Sequence, residues 1–332
     1  MIHAPMTTVP VRATGARPNV APAVPEVDLS IIIVSWNVRA LLERALDCVY
    51  TTIQRSSFEV IVVDNRSDDG SVAMVRERFP AVHLIVNDAN VGFGRANNQA
   101  AALARGRYLL LLNPDAFVHT GTVDRLVTFM DGQPDAGACG CLLRYADGRL
   151  QRSVTSFPTV LTELWTTLGL DRAFPNHPLF GRYKLTYWAM DDLRPVDALM
   201  GACLLLRRDV IAQIGLFDEQ FFMYSEEIDL CYRVQRAGWK NYFVPDVEAT
   251  HIWGGSSARV PNASFLRLFR SRVQFFRKHY GTGATLAYKV VLALAALLRV
   301  LGGPLLFALR RDPGVLRLYL NYLALLQAVP KL

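Results

Sequence analysis

Residues 259–311 contain no Asp or Glu, yet they hold ten Lys and Arg. With Asp312, Arg317 and Lys331 beyond them, residues 259–332 carry a formal +11 against a chain total of +7, which leaves −4 on residues 1–258. The basic part is far more apolar than a nucleic-acid-binding arm, which argues against nucleic acid as its partner. It suits an anionic membrane surface, where each nearby cation contributes on the order of 1 kcal/mol. Cysteine is scarce: Cys48, Cys139, Cys141, Cys203 and Cys231 are an odd set without the paired spacing of a zinc site or a disulfide framework. They read as reduced thiols serving as small apolar residues in a cytoplasmic protein. Residues 1–27 lack the apolar run of a secretory signal; rich in Pro, Ala, Val and Thr, they are expected to form a disordered leader.

A clean run of about 20 apolar residues is missing as well. Residues 286–309 come nearest, but Lys289, Arg299 and Gly302-Gly303-Pro304 interrupt them. The tail, residues 259–332, is therefore expected to form basic amphipathic helices at 265–280, 286–309 and 315–329. They would lie peripherally on the inner face of the plasma membrane. The competing expectation for the tail is a helical cap on the catalytic domain or the interface of a homodimer.

The rest of the chain has a regular rhythm. Residues 29–35 (LSIIIVS), 59–64 (EVIVVD), 82–86 and 108–112 are short, apolar and rich in β-branched residues, as buried strands are. Between them, residues 38–53, 71–79 and 95–105 carry helical spacing. Alternation of this kind predicts an α/β fold, an open and mostly parallel sheet flanked by helices. One domain is expected over 28–258, with a donor half at about 28–116 and an acceptor half at about 117–258. Open sheets of this class bind ligands at the carboxyl ends of their strands, and the polar residues fall there. Ser35-Trp36-Asn37 follows the first strand, and Asp64-Asn65 closes the second.

Asn90-Val91-Gly92-Phe93-Gly94-Arg95-Ala96-Asn97 follows the third strand. Its G-x-G lacks the third glycine and the first-strand position of a dinucleotide fingerprint, but glycines at a helix start let backbone approach a diphosphate. Asn113-Pro114-Asp115 ends the fourth strand, where an acid needs solvent, a partner or a cation; oxygen ligands beside a diphosphate suit Mg²⁺ or Mn²⁺. Later, Ser225-Glu226-Glu227-Ile228-Asp229 reads as a capped helix start. Glu227, beside a like charge and aromatics, suits proton abstraction. His251, ahead of Trp253, is a candidate imidazole ligand.

Taken in order, VSWN at 34–37, VDNRSDDGS at 63–71, NVGFGRANN at 90–98, LLLNPDA at 110–116, GACLLLRRD at 201–209, FDEQFFMYSEEIDLCYRVQRAGW at 217–239 and His251 resemble the family 2 glycosyltransferases of the GT-A fold, in their rhamnosyltransferase-like branch. The resemblance covers about residues 29–280. It implies an inverting transferase that takes a single sugar from a nucleotide-diphosphate donor, dTDP-rhamnose in the first instance, to a glycan or lipid-linked acceptor. It implies Asp64 as the acid that reads the base, with Ser35, Asn37, Asn65, Asn90, Gly92, Phe93, Asn97 and Asn113 about the donor. Asp115, with Asn113 and His251, would hold the metal, and Glu227 would be the base, with Glu226 and Asp229 beside it. Gly201, Ala202 and Trp253 would line the acceptor side.

Two departures stand out: Glu replaces the commoner Asp at the base position, and Asn113 removes one negative charge from the metal site. Gln274-Phe-Phe-Arg277-Lys278 lacks the Trp of processive synthases, which points to single additions. The alternatives are a catalytically impaired sugar-nucleotide-binding or scaffold protein of the same fold, and a nucleotidyltransferase. The latter is expected to carry a Gly-rich loop where Ser35-Trp36-Asn37 stands.

Overall fold

The computed structural model describes residues 27–252 and 261–332; the expected leader, apart from Val27, and Trp253 lie outside them. The first half alternates as the pattern demands: β1 (Val27–Ser35), α1 (Arg39–Thr52), β2 (Phe58–Asp64), α2 (Ser71–Arg78), β3 (His83–Val86), α3 (Phe93–Ala101) and β4 (Gly106–Leu112). β1 pairs in parallel with both β2 and β4, and β2 with β3. Every residue of β1 from Leu29 to Ser35 is buried, because helices cover both faces of a parallel sheet; its sequence is accordingly apolar without alternation. α1 turns Leu42, Ala45, Leu46 and Val49 inward, the i, i+3, i+4, i+7 stripe of a surface helix. α3 starts two residues before the expected Arg95 and ends four before Arg105.

The second half adds β5 (Ala116–Val118), α4 (Thr122–Gly132), β6 (Ala136–Arg144), β7 (Leu150–Gln151), β8 (Val154–Thr155), α5 (Val160–Leu168), α6 (Leu170–Ala173), β9 (Arg194–Val196), β10 (Ala198–Leu199), β11 (Cys203–Arg207), α7 (Arg208–Ile214), α8 (Glu226–Arg236) and β12 (Lys240–His251). The main sheet runs β3-β2-β1-β4-β11-β6-β12-β5, with β7 on β6 and β9 on β12. β11 enters antiparallel between β4 and β6, while β12 lies parallel to β6. The short pair β10-β8 stands apart. All five cysteines are free thiols, and all but Cys48 are buried.

The tail forms α9 (Pro261–His279), α10 (Gly281–Arg310) and α11 (Pro313–Ala328), followed by a 3-10 turn at Val329–Lys331. Here two expectations change. Gly302-Gly303-Pro304 does not break α10, which runs 30 residues straight through Pro304. A Cβ on Gly303 would lie 2.6 Å from Cδ2 of Tyr319, so the glycine is a close contact with α11 and not a stop signal. Residues Gly281–Pro304 are, by length and composition, apolar enough to cross a membrane, with mean hydropathy 1.9.

The helix is two-faced all the same. Tyr288, Leu292 and Ala296 are buried in the core that also holds Phe217 and Phe276, whereas Leu286, Val290, Leu294, Leu298 and Leu301 are exposed. Tyr288 stacks on Phe276 of α9 with ring centroids 4.5 Å apart. The first two tail helices thus complete the core of the α/β domain.

Candidate active site

The carboxyl ends of β1, β2 and β4 open on one cavity of about 240 Å³. Ser35 and Trp36 leave β1, Asn65 leaves β2, and Asn113, Pro114 and Asp115 leave β4 to line it. Asn90 and Phe93 come from the start of α3, and Met200, Gly201 and Ala202 from the entry to β11. Met223, Tyr224, Glu226 and Glu227 form the facing wall, and His251 closes it from the end of β12. Eleven of the seventeen residues singled out in the sequence therefore meet in one place.

His251 is buried, with Nδ1 2.9 Å from Oε1 of Gln151. That amide oxygen only accepts, so it bonds a proton on Nδ1 and turns Nε2 toward the cavity. Nε2 faces Oδ1 of Asp115 at 3.2 Å and Nδ2 of Asn113 at 3.5 Å. Two neighbouring ligands on a cation with bonds of about 2.1 Å lie roughly 3 Å apart, so this imidazole–carboxylate pair fits a divalent cation. Among the described residues no group of three His, Cys, Asp or Glu side chains converges. The protein supplies this pair, and a diphosphate and water are the ligands left to complete a coordination shell. Gln151 had no signal in the sequence, being half of a two-residue strand.

The expectation that Ser225 caps α8 fails on geometry. Tyr224 and Ser225 both adopt left-handed backbone, with φ of 71° and 62°. Ser225 makes no side-chain cap bond, and its Oγ is buried without a partner. Two non-glycine residues in that region cost on the order of 1 kcal/mol or more each and persist only where packing enforces them. Their effect is to swing Glu226 and Glu227 toward the cavity. Burial, and then the charge of Glu227, holds the Glu226 carboxyl well above the ordinary range. Burial also raises Glu227, against the opposing charge of Arg272. Arg272 is a buried residue of α9 that pairs with Glu163 of α5 at 3.4 Å and hydrogen-bonds the Tyr183 hydroxyl. Oγ of Ser35 and Oε2 of Glu226 line the same cavity and are buried with no hydrogen-bond partner, so the wall presents open polar positions to a ligand.

Five of the expected residues are not in the lining of this cavity. Asp229 is fully buried: Oδ1 accepts from His279 and Lys278 at 2.7 Å each, and Oδ2 from Arg233 at 2.7 Å. It clamps α8 to α9 and does not face the cavity. Gly92, at φ 89°, is needed because a Cβ there would stand 2.6 Å from the Phe222 carbonyl oxygen. Its close approach is to the 217–224 segment. Asn97 donates to the Phe93 carbonyl at 2.9 Å and holds the first turn of α3. Asn37 Oδ1 accepts from the Asp68 amide at 2.8 Å, tying the loops after β1 and β2. Asp64 accepts from the Ser67 amide at 2.8 Å through Oδ1, while its Oδ2 is buried and unpartnered. Trp253 falls outside the described residues.

The segment before α8 is stitched on both sides. The Phe93 amide donates to the Phe222 carbonyl at 3.1 Å, and Asn98 exchanges two hydrogen bonds with the Phe217 backbone. On the other side Ser271 of α9 donates to the Met223 carbonyl at 2.8 Å.

Comparison with known proteins fits this geometry. The family model described as glycosyl transferase family 2 matches residues 30–214. The N-acetylglucosaminyl-diphospho-decaprenol L-rhamnosyltransferase of Mycobacterium tuberculosis (strain ATCC 25618 / H37Rv) is 32% identical over 245 residues, covering 70% of this chain and 78% of its own length. Rhamnosyltransferase WbbL of Escherichia coli K12 is 27% identical over 229 residues, 67% of this chain and 82% of its own. Among solved structures, a mannosyltransferase of Pyrobaculum calidifontis in complex with GDP-Man and Mn²⁺ superposes with a TM-score of 0.56 at 21% identity, covering 94% of this chain and 88% of that one.

Proposed function

The chain belongs to the family 2 glycosyltransferases, in their rhamnosyltransferase-like branch, and from that premise we propose an inverting transfer of one sugar from a nucleotide-diphosphate donor, dTDP-rhamnose first, to a lipid-linked diphosphate sugar. The observation that carries this reading is that Glu227 and the Asp115–His251 pair line one cavity. Such a site needs a base on the acceptor side and a charge sink on the leaving-group side.

Glu227 takes the proton of the acceptor hydroxyl. The acceptor oxygen then bonds to the anomeric carbon from the face opposite the diphosphate, the sugar–phosphate C–O bond breaks, and its electron pair leaves with the nucleoside diphosphate. The proton remains on Glu227, and one displacement inverts the anomeric centre. Raised by burial, Glu227 is a stronger base than a solvated glutamate. A bound Mg²⁺ or Mn²⁺, held by Asp115 and His251 with Asn113 at its edge, would supply charge neutralisation for the diphosphate. Asp64, with its open Oδ2, is assigned to the donor base, while Ser35, Asn65, Asn90 and Phe93 cradle the rest of the nucleotide. Gly201, whose Cα faces the Glu227 Cβ, and Ala202 leave room for the acceptor.

The test is a panel of dTDP-, UDP- and GDP-sugars with the purified chain, scored for transfer to a lipid-linked diphosphate sugar in Mg²⁺ or Mn²⁺. The reading expects dTDP-rhamnose to be consumed, and inactivity with every donor would refute it. Asp115→Ala is expected to weaken the Mn²⁺-dependent part of nucleotide binding about tenfold or more in calorimetry, leaving cation-free binding as it was; equal Mn²⁺ dependence in both proteins would take Asp115 off the metal.

The exposed face of α10 and the cations of α9 further support a seat on the inner, anionic leaflet. Vesicle flotation of the full chain is expected to succeed at low salt with 30% anionic lipid and to fall sharply in 1 M salt. Binding that ignores both charge and salt would favour insertion of α10.

A further inference from the structure

A second cavity, of about 510 Å³, lies where α9 passes the 220–224 segment. Arg267, Arg270, Arg277 and Lys331 line it. Among the described residues no Asp or Glu side chain pairs with any of the four, and Arg277 donates to a main-chain oxygen of Leu332, the last residue of this sequence, at 2.6 Å. Like charges gathered about one cavity repel each other, and an anion placed among them relieves that repulsion. Guanidinium forks grip phosphate oxygens in pairs.

The neutral lining agrees. Gln274 donates to Oε1 of Gln220 at 2.8 Å, which leaves the Gln220 amide group as a further donor. The Arg267 guanidinium is fixed 4.7 Å above the Phe222 ring, so one fork is held in place before any ligand arrives.

The place of this cavity gives its role. Phe222 lines the basic cavity, while its chain neighbours Met223 and Tyr224 line the catalytic one. Ser271 lines the basic cavity and also holds the Met223 carbonyl. The partition between the two cavities is therefore a single strand of chain. Lys331 sits in the 3-10 turn that follows α11, and Leu316, Leu318 and Leu320 of that helix are exposed along with the apolar face of α10.

We propose that this second cavity holds the diphosphate of a lipid-linked acceptor, while the acceptor sugar reaches Glu227 across the 222–224 partition and the lipid runs toward α10 and α11. The assignment rests on the lipid-linked acceptor reading above. Its chemistry, a phosphate ester met by four cations, is shared with the headgroups of an anionic bilayer, and the experiment separates the two.

Inorganic diphosphate is titrated into the full chain in the absence of divalent cation, and compared with Arg267→Gln/Arg270→Gln. The double variant is expected to bind it roughly tenfold or more weakly, with dTDP affinity in Mn²⁺ unchanged and thermal melting unshifted. Equal diphosphate affinity in the two proteins would overturn the proposal, whether or not the chain transfers sugar. In transfer assays the double variant should raise KM for a lipid diphosphate sugar and leave KM for an alkyl glycoside of the same sugar alone. A KM that rises for both acceptors, or for neither, would overturn it. Flotation on vesicles of 30% phosphatidylglycerol completes the set. A variant that loses vesicle binding but keeps diphosphate affinity would assign the cavity to bilayer headgroups instead.

Discussion

Glu227→Gln is expected to lower the transfer rate by roughly 10³-fold or more, the magnitude of a lost general base, while nucleotide binding in Mn²⁺ persists. The amide is nearly isosteric, so it keeps the packing at the start of α8 and removes only the capacity to take a proton. Activity within a few-fold of the wild type would remove the base assignment and with it the case for direct inversion. The pH profile supplies a second readout. Burial raises the Glu227 carboxyl, and a base works only when ionised. The acid limb of kcat/KM should therefore lie above the usual glutamate range, with activity falling as pH drops through it. Arg272 opposes that rise, so its removal should move the limb further up.

The second large effect is on stability. Asp229 is fully buried, and its pKa is lowered from 3.8 to about 2. Burial by itself pushes that carboxyl up; the hydrogen bond from His279 and the charges of Arg233 and Lys278 outweigh it. A depressed acid stabilises the fold above its unfolded pKa and loses that contribution as pH falls through the folded one. Asp229→Asn is expected to cost about 3 kcal/mol at neutral pH, because the cations of α8 and α9 lose their shared counter-charge in a dry place. In calorimetry this is a fall of roughly 6 °C in Tm. The difference should shrink toward pH 2, where the wild type loses the same interaction. An unchanged Tm at pH 7 would mean that the clamp contributes nothing net.

The strands and helices of the first half were legible because they obey local rules: β1 is apolar throughout since both its faces are covered, and α1 shows one inward stripe. The polar residues at strand ends were legible for the same reason, since Ser35, Asn65 and Asn113-Pro114-Asp115 each follow an apolar run. What escaped was set by distant chain. Nothing near Gln151 announces that it would fix the tautomer of His251, one hundred residues later. Asp229 sits among acids that face the cavity, yet the helix turns it 200° or so from Glu227 at about 100° per residue, toward cations supplied by α9. Gly302-Gly303-Pro304 carried the marks of a helix end, and only the approach of Tyr319 explains why a glycine stands there in mid-helix. The packing of Gly92 against the Phe222 carbonyl, from a segment more than 120 residues away, had no local mark either.

The hydrogen bond from Ser271 to the Met223 carbonyl, together with the Asp229 clamp, joins α9 to both ends of the segment that delivers Glu227. The part of the chain that would meet the membrane is thereby the mechanical support of Glu227, the base proposed above. A pull or tilt on α9 at a lipid surface is felt one residue from Tyr224 and three from the base-bearing helix turn. Address and chemistry are not separable modules here: a graft of the sheet onto a foreign tail would inherit the donor pocket but not the wall that completes it.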